Sequence, residues 1–121
     1  MLTALHPTVE VEGTSVRATF HPQPEHRGIQ GLLHGGLAAT VLDHVCARAA
    51  AASLGARVMT GRLDVRYRRP VALDEGPYQV DAAVESARGR RARVRGAIRD
   101  IDGRPLVEAQ GLFLAVPEAR T

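Results

Sequence analysis

The chain has 121 residues, 45% of them hydrophobic and 24% charged, with a formal net charge of +3. That length fits one soluble domain, taken as residues 1–121, and the chain has no low-complexity tract or linker that would mark a second. A single cysteine, Cys46, excludes an internal disulfide, and the start lacks the basic and apolar regions of a signal peptide. No apolar run approaches the roughly 18 residues of a membrane span, so a cytoplasmic protein without a membrane partner is expected.

Residues 8–20 alternate in polarity around Gly13 and read as a hairpin or one bent strand. Residues 21–31, with two Pro and two Gly, form a loop. From Gly35 to Leu54 there is no Pro and abundant Ala and Leu, and Gly55 is placed to end a helix over 35–54. Nearly all of its sides are apolar, which predicts burial. The period then switches to two: Leu63, Val65 and Tyr67 alternate with Arg62, Asp64, Arg66 and Arg68 in a strand over 57–69. Further strands are expected at 77–87, 90–101 and 104–116, joined around Gly89 and by the tight-turn signal at 101–104, Ile-Asp-Gly-Arg. Short connections predict an antiparallel sheet. The fold class is therefore α+β, a curved antiparallel sheet wrapped around one long helix.

The stretch GLLHGGLAATVLDH, residues 31–44, carries the chemistry. Thr40, Asp43, His44 and Arg48 share one helical stripe. Either that stripe faces water, with Asp43 loosely paired to Arg48, or it lines a cleft with Asp43 as general base or nucleophile. Gly35 and Gly36 stand where the first backbone N–H groups of a helix lack intrahelical partners and can stabilise an oxyanion. A loop-to-helix turn at positive φ explains two glycines equally well. Gly35 and Asp43 lie eight residues apart, about 12 Å along one helix, so they cannot meet at one carbonyl within a single chain. If they cooperate, a two-fold dimer must bring Gly35 of one subunit to Asp43 of the other.

The His-Gly-Gly at 34–36, the acid nine positions after the His, the long helix and the strand motif RLDVRYRRP resemble the hotdog-fold acyl-CoA thioesterases, in particular the phenylacetate-pathway group. The resemblance spans about residues 14–116. It implies a hotdog homodimer, often paired into a homotetramer, that hydrolyses an acyl-CoA to a free acid and coenzyme A without a further cofactor. It implies Asp43 as the catalytic carboxylate, the Gly35 amide, assisted by Gly36, as the donor to the thioester carbonyl, and His34 as a residue that sets the loop. Many relatives carry Asn or Gln six residues before the His; here that position is Gly28, and Gln30 is the nearest substitute. His44 stands where near relatives often have an acid.

The charge is uneven: residues 57–104 hold 12 Arg against 7 acids, and the chain has no Lys. Such a block suits an anionic partner or a solvated face. Aromatics at 3% leave few platforms for stacking bases, so nucleic acid is not expected. Arg88, Arg90 and Arg91, in a hairpin that lies near the nucleotide in hotdog relatives, are candidates for the coenzyme A phosphates, with Thr40 and Gln30 as further substrate contacts. No metal is expected: Asp43 and His44 are adjacent and diverge by about 100° on a helix, and no His-x-x-x-His pair exists. Cys46 reads as a small buried hydrophobe. Two competitors stay open beside the thioesterase: a hotdog dehydratase or hydratase acting on acyl thioesters, and a non-catalytic acyl-CoA-binding module.

Overall fold

The computed structural model describes residues 8–12, 15–20, 35–72 and 76–117. Their elements run β1 (Thr8–Glu12), β2 (Ser15–Phe20), α1 (Gly35–Leu54), β3 (Val58–Tyr67), β4 (Tyr78–Arg88), β5 (Arg91–Arg99) and β6 (Pro105–Ala115). The strands form one antiparallel six-stranded sheet in the order β1-β2-β4-β5-β6-β3, and α1 packs across it. This is the hotdog arrangement. Residues 8–20 make two paired strands, with Glu12 opposite Ser15, which selects the hairpin over the bent strand.

The antiparallel sheet expected from the short connections is present, but its strand order does not follow the chain. Strands β3 to β6 are joined by short segments, yet β3 pairs with β6 and not with β4. Crossing β6 and β5 takes three strand spacings, about 14 Å, well within reach of the ten residues 68–77. A short connection therefore limited distance without making the two strands neighbours.

The core lies between α1 and the concave face of the sheet. Ala38, Val41, Leu42, Val45, Cys46, Ala49 and Ala50 are the buried face of α1, set against Val16, Phe20, Val80, Val94, Ile98 and Phe113. The spacing of these positions, with 41/42, 45/46 and 49/50 as pairs, is that of one helical face. Small residues let helix and sheet approach closely. At Gly96 a Cβ would lie 2.7 Å from Cys46 Sγ and 3.0 Å from the Asp81 carbonyl oxygen, so the helix rests directly on that strand's backbone. Contrary to the expectation from apolar runs, α1 is long and apolar enough to cross a membrane by length and composition. Its apolar face is instead packed on the sheet.

Helix and turns end where the sequence places its glycines. Gly55 (φ 63°) closes α1, its N–H donating to the Ala51 carbonyl at 2.8 Å. Between β5 and β6 the Asp100 carboxylate accepts from the N–H groups of Asp102 (3.0 Å) and Arg104 (2.9 Å), with Gly103 at φ 84°.

Candidate active site

Asp43 sits half-buried on α1, off the core face, where it meets the edge strand β3. The Thr60 hydroxyl donates to Asp43 Oδ1 at 2.6 Å, a charge-assisted bond that holds the carboxylate in one orientation. The expected loose pairing with Arg48 does not occur: Arg48 is exposed, and the ion pairs among the described residues are Arg62–Asp64, Arg68–Glu108 and Arg99–Asp81. Five residues apart on a helix means about 140° around it, which points the two side chains away from each other.

Gly35 opens α1 and is exposed, and no acidic side chain occupies the first turn to neutralise the positive end of the helix. Its φ is not positive, so the turn-geometry explanation for this glycine falls away. Among the described residues a Cβ there would meet the Tyr67 ring at 3.6 Å, an ordinary contact, so their packing does not demand glycine either. What the glycine leaves is bare backbone at a helix N-terminus. The Gly35 carbonyl oxygen accepts a hydrogen bond from the Tyr67 hydroxyl at 2.6 Å. Beside it is a cavity of about 300 Å³, lined by Gly35, Ala38, Tyr67, Arg69, Val71 and Val107 among others.

Both tethers come from β3, and the reason is a bulge. Thr60 pairs with Phe113 and Tyr67 with Val107, both concave-face residues, although an odd separation of seven would put them on opposite faces of a regular strand. The register shifts between Thr60 and Arg62, and the extra residue, Gly61, restores Thr60 to the helix side. Sequence reading missed Thr60 because alternation was counted only from Arg62 onward. A glycine inside a strand pattern was the available signal for the bulge.

The other expected site residues are placed as follows. The Thr40 hydroxyl donates back to the Gly36 carbonyl at 2.8 Å, within the helix, which occupies its proton but leaves its oxygen able to accept. Arg88 ends β4, Arg90 lies in the turn and Arg91 opens β5; all three are exposed. Arg91 stands opposite Leu114, which stands opposite Met59, so this hairpin is at the Thr60–Asp43 end of the sheet, about 10 Å across it. Arg91, Arg93 and Arg95 share the outer face of β5, without an ion pair among the described residues. His34, Gln30 and Gly28 lie outside the described residues. Cys46 is fully buried against Gly96; burial first, then the charges of Asp43 and Asp81, push its thiol pKa up to about 12, which makes it inert. Among the described residues no cluster of three His, Cys, Asp or Glu is arranged to hold a metal ion.

The thioesterase superfamily model matches residues 30–107, which span α1 and every strand from β3 to the start of β6. The chain belongs to the thioesterase superfamily. Over 96 residues it is 33% identical to the acyl-coenzyme A thioesterase THEM4 of Bos taurus, an alignment covering 78% of this chain and 38% of that protein. The chain thus spans less than half the length of the curated relatives it matches. A solved thioesterase superfamily protein is 37% identical, with a TM-score of 0.81 over 89% of this chain and 55% of the other. A phenylacetic acid degradation-related protein from Ralstonia eutropha shares the fold, with a TM-score of 0.83, 21% identity, and 93% and 87% of the two chains covered. The resemblance carried by His34-Gly35-Gly36 and Asp43 therefore holds at the level of family and fold.

Proposed function

We propose that the protein is an acyl-CoA thioesterase that hydrolyses its substrate to a free acid and coenzyme A. The observation that carries this is Asp43, a half-buried helical carboxylate held by Thr60 at 2.6 Å, on the helix whose bare N-terminus begins at Gly35. Asp43 deprotonates an attacking water or attacks the thioester carbonyl itself. The N–H of Gly35, assisted by Gly36, receives the negative charge that develops on the carbonyl oxygen, and coenzyme A leaves as the thiol. No cofactor takes part.

The active unit is a homodimer. About 12 Å separates Gly35 from Asp43 along α1, so each site takes the amide from one subunit and the carboxylate from the other. With antiparallel helices the two-fold axis then passes near Ala39, midway between the two residues, where the neighbouring Gly36 and Thr40 are also small. The edge strand β3 lies along the same side and exposes Met59 and Tyr67, a surface suited to a second copy. Two such dimers back to back give the expected homotetramer. Arg88, Arg90 and Arg91 take the coenzyme A phosphates at the carboxylate end of the sheet. His34 sets the loop into α1, Gln30 contacts the thioester region, and the protein works in the cytoplasm.

One assay series tests this reading: release of free thiol from a panel of acyl-CoAs. Asp43→Asn abolishes release while the dimer persists in sedimentation, and Arg90→Ala or Arg91→Ala raises KM. Full activity in Asp43→Asn, or in a monomer, refutes the shared site.

A further inference from the structure

The hydrogen bond from Tyr67 to Gly35 has a consequence for catalysis that depends on the thioesterase reading. A peptide group is planar and trans, so the Gly35 carbonyl and the Gly36 N–H share one plane and point in opposite directions. Holding the oxygen at 2.6 Å from the Tyr67 hydroxyl fixes the rotation of that plane, and with it the line along which the Gly36 N–H points. This matters more at a Gly-Gly start than elsewhere. Glycine has the widest backbone freedom, and the first turn of a helix is its most easily frayed part. Gly35 and Gly36 are both exposed in the single chain, so burial within it does not hold them.

The anchor itself is well fixed. Tyr67 pairs with Val107 at the end of β3, and the following N–H groups of Arg68 and Arg69 both donate to the Leu106 carbonyl, at 2.9 and 3.0 Å. Its ring also forms a wall of the cavity beside Gly35. Strand β3 thus holds both halves of the catalytic machinery on α1: Thr60 orients the carboxylate, and Tyr67 orients the backbone end eight residues earlier.

We propose that Tyr67 is a positioning residue, acting through the Gly35–Gly36 peptide to hold the start of α1 in the place and orientation in which it meets the thioester carbonyl. The test is Tyr67→Phe, which keeps the ring and its contacts and deletes only the hydroxyl. Losing an oxyanion donor outright costs about 10²–10³ in rate, so misaiming one is expected to lower kcat about tenfold with KM within about twofold. A second readout separates aim from structure. In an acyl-CoA analogue with CH₂ in place of the thioester sulfur, the bound ketone stretch shifts to lower frequency under polarisation by the amides. In Tyr67→Phe that band is expected to move back toward its value in water, with little change in melting temperature. An unchanged kcat, a loss confined to KM, or an unmoved band overturns the proposal. A wild-type protein that releases no thiol from any acyl-CoA overturns the thioesterase reading and this proposal with it. That result is distinct from an active wild type whose Tyr67→Phe variant matches it.

Discussion

Thr60→Val isolates the contribution of one hydrogen bond to Asp43, the carboxylate proposed to act in catalysis. Valine replaces the hydroxyl with a methyl of nearly the same shape, so the strand and the bulge at Gly61 are undisturbed while the 2.6 Å bond to Asp43 is lost. Hydrogen bonds to charged groups are worth about 1.5–3 kcal/mol. Thr60 is exposed and Asp43 only half-buried, so water partly replaces the hydroxyl, and about 1–1.5 kcal/mol is the expected loss of orientation. At about 1.4 kcal/mol per factor of ten, kcat for thiol release falls about fivefold to tenfold. Thr60→Ser, which keeps the donor, stays close to wild type. The melting temperature changes little in either variant, since a surface substitution is usually within about 0.5 kcal/mol. If Val and Ser lose activity equally, the side chain's shape matters and its bond does not. If Val is fully active while Asp43→Asn is dead, Thr60 does not orient the carboxylate.

Two further outcomes follow from the core. Gly96→Ala places a Cβ at 2.7 Å from Cys46 Sγ and 3.0 Å from a backbone carbonyl, overpacking expected to cost about 1–3 kcal/mol and several degrees in thermal melting. Adding Cys46→Ala recovers part of that loss, because the sulfur contact is relieved while the Asp81 carbonyl remains; strict additivity of the two substitutions argues against the contact. The Cys46 thiol, at about 12 in the fold against an ordinary 9.0, binds its proton more tightly when folded. Its contribution to stability is therefore complete below pH 9 and is lost as pH rises from 9 toward 12. Alkylation of Cys46 near pH 8 is expected only at the rate of unfolding, and rapid labelling of the native protein refutes that burial.

What the sequence disclosed and what it withheld divide along the range of the interactions involved. The helix was legible because its evidence is local: an Ala-rich run without Pro, closed by Gly55, whose backbone does take the left-handed turn. The strand faces from Arg62 to Tyr67 were legible for the same reason. The place of β3 beside β6 was not, because pairing between strands about 45 residues apart leaves no mark on the spacing of either one. The site shows the same division. The His-Gly-Gly start and the acid nine residues later are a local pattern, and they pointed to the family. The partner of Asp43 was sought on its own helix and lies instead on β3, brought to the right face by a single inserted residue. Tyr67, noted in the sequence only as one of the alternating positions of its strand, also carries the hydroxyl that reaches the helix N-terminus. The local pattern thus identified the groups proposed to act on the thioester. The groups that orient them belong to a strand that becomes their neighbour only in the folded sheet.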